Sequence, residues 1–189
     1  MEAIRINNIC RRNTPQSILF ISGTFGLEGW FISDFGVDFQ YKKDAPNHKI
    51  TKTITFPSLE QVFQQTWNKM ISRHFALSST YIKSRILRSF LTQENRYPSQ
   101  VDEDRMIINK IAVKMLKDNL VDNSFLCKLE LDRFPSICNA TNVITCSTLG
   151  SFLAQEVIKA VSLSGEPAFN IFEFNGYDCS VRAFPFGLE

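Results

Sequence analysis

The chain has 189 residues, 44% of them hydrophobic and 21% charged, and its 21 Lys and Arg against 19 Asp and Glu leave a net charge of +2. That balance lacks the basic stripe or high pI of a nucleic-acid binder. No apolar run approaches the ~18 residues of a membrane-spanning helix, so neither nucleic acid nor membrane is an expected partner.

The length suits one domain with an inserted subdomain and is enough to bury a sizeable core. Seventeen Phe stand against four Tyr and two Trp. Phe has no polar handle, so most of these rings belong in cores or interfaces. Five Cys (Cys10, Cys127, Cys138, Cys146 and Cys179) make an odd count with no CxxC pair. With no signal peptide in view, they read as reduced thiols of the cytosol or nucleus. The sequon at Asn139 is then silent. Arg11-Arg12 and Lys42-Lys43 are too short to be more than solvated surface.

In chain order, 1–12 reads as the end of a helix with a basic finish, stopped by Thr14-Pro15. Residues 17–22, SILFIS, form a continuous apolar run that suits a strand buried on both faces, as in a parallel sheet. Gly23 to Gly26 breaks it, and 29–41 reads as one or two further strands. A helix feeding a buried strand is the tail of a βαβ unit, so the expectation is a chain that starts in the middle of a fold. Residues 42–52 are polar and read as a surface loop, and 53–56 as a short strand.

From Pro57 the texture turns helical, with Ser58 as a cap for a helix reaching Trp67. Ile82, Ile86 and Phe90 recur at helical spacing, flanked by Leu87 and Leu91. Residues 102–121 repeat the pattern with Ile107, Ile111 and Met115 and with Ile108, Ala112 and Leu116. The breakers at 95–99 separate these helices, and 123–134 gives one more short helix. Gly150 is placed where a turn meets a helix lined by Phe152, Leu153, Val157, Ile158 and Val161, ended by Gly165 and Pro167. Residues 169–174 and 179–184 read as strands, with Asn175-Gly176 as the hairpin turn.

Each chemical reading has a plainer rival. His48 and His74 lack any ligand spacing and read as surface or satisfied histidines. Cys138, between Pro135-Ser136-Ile137 and Asn139-Ala140-Thr141, faintly echoes a Pro-Cys-Thr nucleophile site. A working thiolate needs a basic neighbour or helix N-terminus, and only Arg133 is near, so a buried structural thiol is the favoured reading. Gly23, Gly26 and Gly29 stand at GxxGxxG spacing rather than that of a phosphate loop, and read as a backbone turn. Asp102, Glu103 and Asp104 suit a helix start and Lys159 a helix end. The residues alone define a globular α+β protein with an inserted helical region and no self-contained active site.

Residues 149–161, LGSFLAQEVIKAV, then Glu166-Pro167, then 170–176, NIFEFNG, resemble the closing segment of ubiquitin-like-modifier activating enzymes of the ThiF/MoeB type. Those show a Gly-Gly pair, Ala-Gln-Glu-Val-Ile-Lys, a Pro-containing loop and a strand ending Phe-Asp-Gly. Three further stretches resemble the non-cysteine, smaller subunit of SUMO-activating enzymes: 6–12, INNICRR; 56–62, FPSLEQV, running on to Trp67; and 96–99, RYPS. The resemblance runs through nearly all of the chain and matches the C-terminal half of such a subunit. Only one glycine of the Gly-Gly pair is present, at Gly150, and Phe-Asp-Gly reads Phe174-Asn175-Gly176, as in a diverged member.

The resemblance implies an α/β fold, α+β in this span: the C-terminal part of an adenylation-type, Rossmann-like domain at 1–56 and 142–189, with an inserted helical region at 57–141 and a terminal β-hairpin. It implies a non-catalytic scaffolding subunit. The partner is the large cysteine-bearing subunit, which binds ATP and Mg and captures SUMO, so SUMO is met only through the complex. The arginine that such subunits send to ATP comes from a region outside this sequence. No catalytic, cofactor-binding or metal residue is expected here, and no cofactor. Gly23, Gly26, Gly150, Asn175 and Gly176 are expected at structural turns, and Gln155, Glu156 and Lys159 at the partner interface, in the nucleus and cytoplasm. The alternatives are the equivalent subunit for another modifier, a self-sufficient enzyme using Cys138, or a truncated product inactive alone.

Overall fold

The computed structural model describes residues 2–46, 48–67, 77–168 and 170–184. Gly26 starts the architecture. Its φ of +56° suits the first position of a two-residue hairpin turn, and glycine adopts it without strain. It joins strands β1 (Leu19–Phe25) and β2 (Glu28–Asp34), which pair antiparallel from Phe25 opposite Glu28 to Leu19 opposite Asp34. Two late strands, β5 (Ile171–Asn175) and β6 (Ser180–Phe184), complete a four-stranded sheet in the order β1-β2-β5-β6. All its pairings are antiparallel.

The mixed α/β class and the terminal hairpin hold. The parallel, doubly buried strand expected at 17–22 does not. β1 is half-buried and lies at a sheet edge. An apolar run states that a strand is wanted but not the direction of its partner. The turn after β5 also differs from the expected Asn175-Gly176 pair. Asn175 still pairs with Ser180, and four residues make the turn, with Cys179 at positive φ. The loop expected at 42–52 is a two-stranded ribbon, β3 (Phe39–Ala45) and β4 (His48–Ile54). Most of its residues are exposed, so it carries little apolar alternation to betray it.

Helix α1 (Glu2–Arg12) is tied to the sheet through Asp34. Asn7 Nδ2 donates to Asp34 Oδ2 at 2.5 Å, and Arg11 reaches both carboxylate oxygens at 2.7 and 2.8 Å. Arg11 also donates to the Phe56 carbonyl, and Asn7 Oδ1 accepts from Leu59 N. Arg11, read from sequence as solvated, is therefore the clamp between α1, the end of β2 and the start of the helical region.

That region holds α2 (Leu59–Gln64), α3 (Ser79–Glu94), α4 (Asp102–Asp118), a 3-10 turn at Asn123–Phe125, α5 (Leu126–Leu129) and α6 (Phe134–Ile137). Ser58 caps α2, as the sequence suggested, and does so in a reciprocal pair with Gln61, but α2 stops short of Trp67. Ile82, Ile86 and Phe90 of α3 and Ile108, Ala112 and Leu116 of α4 are fully buried. They share one core with Phe25, Ile32, Ile171 and Phe184 of the sheet. On the opposite sheet face, α7 (Val143–Ser162) covers Phe31, Phe172 and Phe174. A third cluster joins Phe35, Phe56 and Ala160. Among the described residues no helix is long and apolar enough to cross a membrane.

Candidate partner interface

α7 is the longest helix described, at 20 residues, and it begins well before Gly150. Asn142 caps it, its side-chain oxygen accepting from Ile144 N at 2.8 Å and Thr145 N at 3.3 Å. Gly150 is therefore no turn residue but sits mid-helix. An added Cβ there would meet nothing within 4 Å. The inner stripe of α7 is Thr145, Leu149, Glu156 and Ala160. It lies close on β2 because Gly29 leaves room: a Cβ at Gly29 would meet Leu149 and Thr145 at 3.2 Å. Phe152 tilts over Phe172 at 4.8 Å, beside the stacked Phe31–Phe172 pair at 4.6 Å.

The outer stripe is Val143, Ser147, Gly150, Ala154, Ile158 and Val161, with Val157 beside it. Val143 and Val161 are 82% and 81% exposed and Ile158 57%. At 1.5 Å per residue this face runs about 27 Å, and it carries no charge. The only charged residues of α7 are Glu156 and Lys159, and they pair with each other at 2.7 Å. Glu156 is buried, and its second oxygen accepts from Ala168 N, fastening the loop after the helix. Of the three residues placed at an interface from sequence, Gln155 is exposed, Lys159 is half-buried and Glu156 is turned inward. The apolar outer stripe beside them had the right period in the sequence, but periodicity alone does not say which stripe faces the core.

The remaining candidates are brought to no common site. Gly23 lies within β1 opposite Trp30 and is not a turn; a Cβ there would meet the indole at 3.1 Å. Gly29 lies within β2, so the three glycines form a hairpin rather than a phosphate loop. Cys138 is buried, with Sγ 3.5 Å from the Pro135 carbonyl, and burial pushes its thiol up to about 11. Such a thiol stays protonated at neutral pH and makes a poor nucleophile. His48 opens β4 and is exposed, while His74 lies outside the described residues. No group of three potential metal ligands occurs among the described residues.

Sequence reasoning missed a buried polar cluster under α3. Glu28 accepts from Lys83 Nζ at 2.5 Å and from Thr80 Oγ1 at 2.8 Å. Ser78, the α3 cap, donates to Glu173. Burial pushes the Glu173 carboxyl up to about 7, with Glu28 and Asp178 adding to the rise and Arg182 opposing it. Both carboxylates fall on the α3 side by strand alternation, which was readable once the strands were placed.

No family model matches the chain. Its curated homologues are SUMO-activating enzyme subunits 1. Subunit 1B-1 of Arabidopsis thaliana is 27% identical over 174 residues, 92% of this chain and 53% of that protein. Subunit 1 of Danio rerio is 24% identical over 201 aligned positions, 92% of this chain and 56% of that protein. Subunit 1A of Arabidopsis thaliana reaches 30% identity over 143 residues, 75% of this chain and 43% of that protein. The chain thus spans about half the length of the curated relatives it matches, consistent with their C-terminal part.

Proposed function

With SUMO-activating enzyme subunits 1 as its homologues, we propose that this chain serves as a scaffolding, non-catalytic part of the smaller subunit of such an enzyme. In this reading the outer stripe of α7 docks on the larger, cysteine-bearing subunit. That partner holds ATP and Mg and carries out adenylation and thioester capture, and SUMO reaches this chain only within the complex. The assembly works in the nucleus and cytoplasm.

The uncharged outer face of α7 is the observation that carries the reading. A face rich in small and β-branched side chains, free of charge, gains little in water and much against an apolar partner. Gly150 and Ala154 let a second backbone come close. The buried, protonated Cys138 supports leaving the thioester to the partner.

Co-expression with the large subunit, followed by size-exclusion chromatography, tests it. Co-elution as a one-to-one complex, abolished by Ile158→Asp, is expected. A well-behaved monomer that ignores the large subunit overturns the assignment. The same measurement with the large subunits of other modifiers then separates the alternatives. If Ile158→Asp leaves the complex intact, the subunit reading stands and α7 is the wrong face. Cys138→Ala is expected to leave thioester formation by the assembled pair unchanged.

A further inference from the structure

The inner stripe of α4 closes the core on α3, and its outer stripe is of a different kind. Met106, Lys110, Val113, Lys117 and Leu120 follow one another at spacings of four and three. At 100° per residue they fall within about 80° of one another, along about 21 Å of helix. All five are exposed, Met106 at 66% and Leu120 at 71%. The apolar members recur every seven residues, and a lysine stands four residues after each of the first two.

Leu120 is the residue that local structure does not explain. The end of α4 is closed by two bonds, from Leu120 N to the Lys117 carbonyl and from Val121 N to the Leu116 carbonyl. This motif places the residue after the cap in the left-handed region, where glycine or asparagine is usual. Here that residue is Leu120, at a φ of +57°. A leucine is thus held where glycine is preferred, with its side chain in water rather than in the core. Such an outlier points to a task for the side chain outside the fold.

The charges say what that task faces. Between Met106 and Leu120 stand Lys110, Lys114 and Lys117 against one acid, Asp118. Asp102 and Asp104, at the start of α4, pair with Arg105 and Arg96. Among the described residues no ion pair involves the three lysines. Apolar residues every seven, with a charge four places on, is the spacing at which two helices meet side by side and choose each other by their flanking charges. Lysines on this helix call for carboxylates on the other.

We propose that the outer stripe of α4 docks an acidic amphipathic helix of another protein. Its apolar side chains pack on Met106, Val113 and Leu120, and its flanking Asp or Glu residues pair with Lys110 and Lys117. A second copy of α4 would bring lysine to lysine, so it is not the occupant. α3 and α4 cover the sheet face opposite the one covered by α7. The site is therefore separate from the α7 face and does not depend on the subunit reading above.

The experiment titrates this full chain into a labelled synthetic helix of about 15 residues, long enough for the stripe, with leucines along one face and glutamates beside them. Fluorescence anisotropy reads the affinity. The same peptide with lysine in place of each glutamate is expected to bind at least tenfold more weakly, and raised salt should weaken the acidic one. Leu120→Gly is expected to lower affinity at least tenfold while leaving the thermal midpoint unchanged or higher, since glycine suits that φ. Combined Lys110→Glu and Lys117→Glu should reverse the preference between the two peptides. Ile158→Asp on α7 should change nothing. Equal binding of the two peptides overturns the proposal, as does full affinity in Leu120→Gly. A chain that ignores the acidic peptide but sediments with phosphatidylserine vesicles, and loses this with the two lysines, also overturns it by making a membrane surface the occupant.

Discussion

The two faces of the four-stranded sheet are covered by opposite means. On the α3 side, β2 and β5 present Glu28 and Glu173 among Ile32 and Ile171, and α3 answers with Lys83, Thr80 and Ser78. On the α7 side the same strands present Phe31, Phe172 and Phe174, and the helix answers with Leu149 and Phe152. Buried charges fix one relative position of sheet and helix, because each polar group must find its partner. Stacked rings hold more tolerantly. The outer surfaces differ too. α3 is covered in turn by α4 in one shared core, whereas the outer stripe of α7 is open among the described residues. Specificity is built into the closed side, and the open side is left smooth and apolar.

The strongest way to break this comparison is at the buried ion pair. Lys83→Met strands the Glu28 carboxylate in the core and is expected to destabilise the chain by about 3–5 kcal/mol. Combining it with Glu28→Gln should restore most of the loss. Urea unfolding of the three variants checks this, and equal losses in the single and double variants would show that no charge partnership operates there.

Glu173 gives the next effect. Burial, its first cause, pushes the folded carboxyl up to about 7 from an ordinary value of 4.5. A raised carboxyl pKa means the folded state binds the proton more tightly. Its contribution is complete below pH 4.5 and is lost as pH rises through 7. Glu173→Gln is expected to flatten the stability profile across that window and to raise stability at pH 8 by about 2–3 kcal/mol. An unchanged slope would mean that Ser78 and Arg182 together hold the carboxylate charged.

What the sequence disclosed divides along the same line. The buried stripes of α3 and α4 were legible because a helix face against a core repeats strictly, as Ile82, Ile86 and Phe90 do. The β3–β4 ribbon was not, since a solvated two-stranded ribbon imposes no pattern on its side chains. The direction of β1 was lost because apolar runs encode burial rather than partnership. The sequence explains Asp104 by a helix start alone and Arg11 as solvated surface at a helix end. In the structure Arg96 pairs with Asp104 through two bonds at 2.7 Å, and Ser99 adds two more. Those bonds hold the Asp104 carboxyl well below the usual range, the Arg96 guanidinium first among the causes. Such roles depend on contacts across a loop or a fold, which spacing along the chain does not record. The Arg96-Tyr97-Pro98-Ser99 motif was noticed only as a resemblance, and its physical reason is this grip on the start of α4.

On the aromatic side, Phe172→Leu should cost about 1–2 kcal/mol, since it keeps most of the apolar volume but removes the stack on Phe31 and the contact with Phe152. Thermal unfolding measures it, and a loss near 4 kcal/mol would mean the rings are as position-critical as the charges opposite.

The smallest expected effect bears on the open face. Gly150 sits inside a helix with nothing within 4 Å of a would-be Cβ, so Gly150→Ala should stabilise the isolated chain by about 0.5–1 kcal/mol. If a partner helix packs closely on the outer stripe of α7, the same methyl stands in its way, and affinity for the large subunit should fall while monomer stability rises. The two readouts then move in opposite directions, which a purely structural role for Gly150 does not produce. A stabilised monomer with undiminished affinity would show that the partner does not approach α7 at this turn. The contact would then move toward Ile158 and Val161 at the helix C-terminus.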